Sequence, residues 1–221
     1  MAIPGKIPTL CAGDALSRDE FERRYAAMPG LKKAELVEGV VYMPSPVRHV
    51  HHGQPHGLLA GWLLNYRAAT PGTEYSIDAT LRLDQDNELQ PDLLLRNAGA
   101  DGSSRVDCDG YLVGPPELCV EVAASSVSYD LHQKLEVYRR AGVREYVVLR
   151  AVDRQLDWFL LRDGHYDHCA PDRDGVVRSR AFPGLWLDVA ALLAGDAAGV
   201  LAAVATGTAT PEHAAFRATL H

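Results

Sequence analysis

Gln90-Pro91-Asp92-Leu93-Leu94-Leu95, then Glu117-Leu118-Cys119-Val120-Glu121-Val122 after a polar loop, then Asp130-Leu131-His132-Gln133-Lys134-Leu135 are the segments whose reading decides the fold. Asp92 and Glu121 sit at or inside short apolar runs. An unpaired carboxylate in such a run costs several kcal/mol to bury, so two of them call for a partner. Lys134 follows on a segment with helical spacing. Two acids and a lysine in this order point to a site that meets a divalent cation or a phosphate.

Working outward, Leu93 to Leu95 and Leu118 to Val122 are apolar on both faces, as expected of central strands. After Glu121, Ser128 or a neighbour caps a helix that reaches Ala141, with Gly142 in the position that ends it. Leu131, Leu135 and Tyr138 share a face. Arg144 to Leu149 and Gln155 to Leu161 read as further strands, and Asp163-Gly164 as a tight hairpin turn. Upstream, Ser17 and Glu20 form a capping-box pattern for a helix through Phe21 and Tyr25. Gly39 divides Ala34 to Met43 into two short strands, and Pro44-Ser45-Pro46 ends that unit. His49 to Ala69 has helical periodicity, with Leu58, Leu59, Trp62, Leu63 and Tyr66 on one face. Glu74 to Leu83 alternates and predicts one strand. Asn97 to Gly114 is polar and reads as a loop. Asp188 caps a short helix, and an Ala-rich tail begins at Gly195.

This order of elements predicts an α/β fold with a mixed β-sheet flanked by helices. It divides into an arm and short helix over 1–33, a main domain over 34–194 and the tail over 195–221. No Gly-rich phosphate loop occurs, and no internal repeat.

The chain has 221 residues, an apolar share of 47% and a net charge of −7. The acidic total argues against a tight, free-standing nucleic-acid binder, which usually carries a basic excess. The cysteines form no Cys-x-x-Cys pair, so a ribbon-type zinc site is not expected. No run approaches the ~18 apolar residues of a membrane span, and the N-terminus lacks the apolar core of a signal peptide. A cytoplasmic setting is the expectation.

Asp92 and Glu121 fall on neighbouring strands in this reading, where side chains on one face lie about 5 Å apart. Two carboxylates at that separation suit Mg²⁺ or Mn²⁺, since a hard cation takes one or two carboxylates and completes its shell with water and substrate phosphate. Lys134 would then stand near the phosphate. The plainer reading makes Asp92 a strand-entry residue and Glu121 the partner of a surface cation. In it, Asp130 and Lys134 pair across one turn of helix surface.

Pro91-Asp92, then Glu121 in a strand, then a lysine, resembles the PD-(D/E)XK restriction-endonuclease-like superfamily, and more closely its Uma-two branch. The likeness is carried also by Glu35-Leu36-Val37-Glu38-Gly39, by Met43-Pro44-Ser45-Pro46 with a histidine soon after, and by Ala141-Gly142-Val143-Arg144-Glu145-Tyr146. It covers about residues 34 to 161. The resemblance implies a restriction-endonuclease-like core, a divalent metal and hydrolysis of DNA phosphodiesters. It implies Asp92 and Glu121 as metal ligands, Glu35 as a further acid of the site with Glu38 a weaker candidate, and a homodimer. The superfamily's usual lysine lies two residues past the second acid, where this chain has Ala123; the branch places it on the next helix, which maps it to Lys134. A catalytically inactive module that keeps the fold and binds nucleic acid or protein is the alternative.

Three other groups stand out. His49, His51, His52 and His56 open the long helix. The spacing of His52 and His56 suits zinc, but the His-Glu-x-x-His pattern is absent; they equally fit the rim of a nuclease groove or a solvated helix start. Ser125 and Ser126 lack a nucleophile elbow. Arg139, Arg140 and Arg144 form either a basic edge or a solvated face.

Overall fold

The two apolar runs around Asp92 and Glu121 become neighbouring strands because each has two faces to bury and the chain supplies a layer for both. The computed structural model describes residues 7–43 and 48–220. The first six residues of the arm and Pro44-Ser45-Pro46 lie outside the described residues.

In chain order come α1 (Arg18–Ala26), β1 (Glu35–Val37), β2 (Val40–Tyr42), α2 (Gln54–Ala69), β3 (Thr73–Ile77), β4 (Leu81–Arg82), β5 (Glu88–Leu89), β6 (Leu93–Asn97), β7 (Arg105–Val106), β8 (Leu112–Val113) and β9 (Leu118–Ala123). There follow α3 (Val127–Tyr129), α4 (Leu135–Ala141), β10 (Glu145–Arg150), β11 (Gln155–Arg162), β12 (His165–His168), β13 (Val176–Arg178), β14 (Trp186–Asp188), α5 (Val189–Ala194), α6 (Ala197–Thr208) and α7 (Pro211–Arg217). Two wide π-type turns, His49–Gly53 and Asp130–Lys134, lead into α2 and α4.

The main sheet has the order β12-β11-β10-β9-β6-β3. Only the β9–β10 pair in it is parallel, and its crossover is the helical segment through α3 and α4. Leu93, Leu95, Val120, Val147 and Trp158 face α2 and α6. Leu94, Cys119, Tyr146 and Val148 face the other way, onto α4 and a second sheet of order β2-β1-β5-β4-β8-β7. The result is a mixed α/β fold with helices on both sides of the main sheet.

Local signals account for several boundaries. Glu38 and Gly39 both take positive φ, 52° and 74°, and turn β1 into β2, as a two-residue hairpin requires. Asp163 and Gly164 do the same for β11 and β12. Gly142, at φ 92°, closes α4 with its N–H on the carbonyls of Tyr138 and Arg139. Asp188 caps α5 by accepting from the Ala191 N–H.

Three expectations change. Glu74 to Leu83 is not one strand: Asp78 takes a left-handed φ of 51°, β3 stays in the main sheet, and β4 passes to the second. Asn97 to Gly114 contains β7 and β8 rather than loop alone. Ser17 stands at the start of α1 without a side-chain cap, and the Glu20 side chain binds Arg23 and Arg24 rather than reaching back to it. The Ala-rich tail forms α6 and α7, and Val200 and Val204 enter the main core against α2. Among the described residues no helix is long and apolar enough to cross a membrane.

Glu88 on β5 is buried, with Arg82 at 3.5 Å. Burial, and then the facing Glu22 of α1, push its carboxyl from 4.5 to about 8 against the pull of Arg82 and Arg18. Between those values the folded chain holds a proton that the unfolded chain releases, so stability falls as pH rises through the window. Glu88→Gln is expected to raise the melting temperature at about pH 8 and to change it little at about pH 5. Thermal unfolding at both pH values checks this; equal shifts would mean that another group titrates.

Candidate active site

The register of β6 against β9 pairs Leu93 with Val120 and Leu94 with Cys119. Continued by one residue, it sets Asp92 opposite Glu121. Strand alternation puts both on the face that carries α4 and the second sheet. The separation expected from the sequence therefore has a structural basis, and both acids are buried.

Glu121 is held from the helix. Lys134 Nζ donates to its Oε1 at 2.9 Å, and the Tyr138 hydroxyl donates to the same oxygen at 3.1 Å. No hydrogen bond among the described residues uses Oε2. Lys134 Nζ also lies 3.0 Å from Glu35 Oε1 and 3.8 Å from Asp130 Oδ1. Glu35 comes from β1 and accepts from the Gln90 N–H at 2.8 Å, just ahead of Asp92. Asp130 accepts from the Ser126 hydroxyl, and its carbonyl accepts from Tyr146.

Asp92 is held from the other side. Its Oδ2 accepts from the Val122 N–H at 2.8 Å and pairs with His52 Nε2 at 3.2 Å. Its Oδ1 lies 3.3 Å from Lys33 Nζ, which also reaches Asp78 Oδ1 at 3.2 Å. His56 Nε2 donates to the Asp92 carbonyl at 3.1 Å.

Five acids thus share two lysines, and the acidity of Glu121, Asp130, Asp92 and Lys134 reflects it. Burial pushes Glu121 up to about 8; Lys134 opposes this, while Asp92, Asp130 and Glu35 add to it. Burial works against the charge on Lys134, but Glu121, Glu35 and Asp130 outweigh it and hold the ammonium well above its ordinary value. Burial likewise raises Asp130. Asp92 goes the other way: burial would raise it, but His52, Lys33 and the Val122 N–H together hold it well below the usual carboxylate range. The same hydrogen bond raises His52.

This donor set is hard oxygen, is short of positive charge, and leaves Glu121 Oε2 for another ligand. It fits a hard divalent cation that takes two carboxylates and finds its remaining ligands in water and substrate. No group of three or more His, Cys, Asp or Glu among the described residues forms a ready-made cage.

Glu38 stands apart from these groups. It sits in the β1–β2 turn, half-exposed, paired with Arg140 at 2.6 Å. That pairing also removes Arg140 from a basic edge, and Arg139 is spent on Glu136 and the Gly164 carbonyl. Asp130 and Lys134 do pair, but buried, not on a helix surface. His52 and His56 lie stacked, with ring centroids 5.5 Å apart, against the side chain and backbone of Asp92. Sequence reading assigned no role to Lys33 and took Tyr138 for core alone. Tyr138 is core and also a donor, and its spacing of four from Lys134 was the available signal.

Lys134→Met alone strands the buried Glu121 and is expected to cost about 3–5 kcal/mol of stability. Adding Glu121→Gln should recover part of that loss in urea unfolding. A double variant no better than the single one would place the effect in packing, not charge.

A model of the Uma2 family, described as "Putative restriction endonuclease", matches residues 18–190. The crystal structure of "a putative nuclease belonging to DUF820" from Anabaena variabilis ATCC 29413 matches with a TM-score of 0.62 and 11% identity. The match covers 81% of this chain and 98% of that one. At that identity the likeness speaks to fold alone, and it agrees with the α/β fold with a mixed β-sheet expected from the order of elements. No curated protein matches.

Proposed function

The chain belongs to the Uma2 family, and on that premise we propose that it is a divalent-metal-dependent endonuclease that hydrolyses DNA phosphodiester bonds. The observation that carries this reading is the cross-strand placement of Asp92 and Glu121 on one face, with Lys134 buried against Glu121.

Asp92 and Glu121 would hold Mg²⁺ or Mn²⁺. When bound, such an ion polarises a phosphoryl oxygen and acidifies a coordinated water. The chain's own part is orientation. Lys134 and Tyr138 fix Oε1 of Glu121 and leave Oε2 as its open donor. The Val122 N–H and His52 fix Oδ2 of Asp92. Glu35 ties Lys134 to the second sheet and, through the Gln90 N–H, to the start of β6. Val122 sits on β9 and Tyr138 on the packed α4, with Lys134 buried just ahead of it, so little reorganisation of Glu121 separates the free site from a charge-stabilising one.

The alternative is a nuclease-fold module that binds nucleic acid or protein without cutting it. It is favoured by the pairing of Glu121 with Lys134 and of Asp92 with Lys33, which gives each acid a cation within the chain.

Isothermal titration of Mn²⁺ separates the two. Binding to the wild type that disappears in the Asp92→Ala, Glu121→Ala double variant, with plasmid nicking lost in parallel, is the expected outcome. No binding to the wild type, even with a short DNA duplex present, would favour the non-cutting module. The endonuclease is also expected to act as a homodimer, and sedimentation showing only monomer at micromolar concentration would remove that part of the proposal.

A further inference from the structure

The site contains two ammonium groups in unlike settings. Lys134, the one that sequence pattern singles out, is the deeper: its side chain is 4% exposed, against 22% for Lys33. An ammonium has three protons to donate. Around Lys134 there are three carboxylates, Glu121, Glu35 and Asp130, all buried. Lys134 donates to Glu121, lies 3.0 Å from Glu35 and is almost wholly covered, so drawing it away toward a phosphate would strand buried acids. Lys33 has two partners at 3.2 and 3.3 Å, which leaves one proton. Its Asp78 partner is 54% exposed, and an ion pair with so exposed an acid is weak. Lys33 also abuts Oδ1 of Asp92, the oxygen on the side away from the Val122 N–H.

We propose that Lys33 is the ammonium that meets the substrate phosphate, and that Lys134 is a positioning residue acting through Glu121. The assignment rests on the endonuclease reading. Lys33 leaves Asp78 for a phosphate oxygen as DNA settles over Asp92, while Lys134 stays in place and fixes where Glu121 points. The probe is a phosphodiester backbone, so the contact is independent of sequence.

The test is fluorescence anisotropy of a short labelled DNA duplex, with Ca²⁺ replacing Mg²⁺ and KCl varied. Lys33→Gln is expected to weaken binding severalfold and to lower the slope of log affinity against log salt by about 0.9, one phosphate contact's worth. Lys33→Arg should keep the slope, and both variants should still bind Mn²⁺ in calorimetry. Lys134→Met should keep the slope and weaken Mn²⁺ binding. Should that variant not fold, the Lys33 pair decides alone. Wild type that binds and nicks DNA, with an unchanged slope in Lys33→Gln, would overturn the assignment and leave the nuclease reading standing. Wild type that neither binds nor nicks DNA would overturn both.

Discussion

The structure turns on one buried cation. Lys134 Nζ sits among carboxylates from β1, β9 and its own helical segment. Remove it, and Glu121 and Glu35 become unpaired charges in a desolvated space, which the sheet would not tolerate. Through Lys134 the main sheet, the second sheet and the crossover helix are bound at a single point. Their apolar faces supply the general attraction, and the ion cluster specifies how they are registered.

That arrangement explains why acids can interrupt otherwise apolar strands. The face of the main sheet toward α2 and α6 is apolar through Val120 and Val122. The opposite face is apolar at Cys119 and Ala123, with Glu121 between them. The charged residue therefore lies inside a core layer, and its neighbours in that layer must answer it. Tyr138 and Tyr146 do so with hydroxyls, one to Glu121 and one to the Asp130 carbonyl. The aromatic residues that fill this layer are also its hydrogen-bond donors.

The centre of this fold is legible in the chain. Leu93 to Leu95 and Leu118 to Val122 announce buried strands by being apolar on both faces, and the acids at their ends stand out against that background. Tight turns at Gly39 and Gly164 follow from residue types that tolerate positive φ. What alternation does not carry is allegiance to a sheet. Tyr75, Ile77, Ala79 and Leu81 keep a period of two while the chain bends at Asp78 and changes sheets. Lys33 was illegible for a related reason: it precedes the first strand by two residues, and only the packing of β1 beside β5 brings it to Asp92. His52 needed the same long-range knowledge, since a histidine at a helix entrance has no local mark of its partner.

Both helical segments that serve the site begin with a π-type turn, His49–Gly53 before α2 and Asp130–Lys134 before α4. A π-type turn accommodates one residue more than an α-helical turn. Each α-helix residue accounts for about 100° of rotation, so the segments on either side of such a turn are out of phase with an uninterrupted helix by about that angle. The helix has in effect two independent pointing directions. Tyr129, before the turn, can stack on Tyr42 while Lys134 and Tyr138, at its end and beyond it, are both aimed at Glu121. A single-residue deletion within Asp130–Lys134 would restore a regular helix and, in doing so, swing one of those two sets away from its target. Regularity and aim are in conflict there, and the chain has kept the aim.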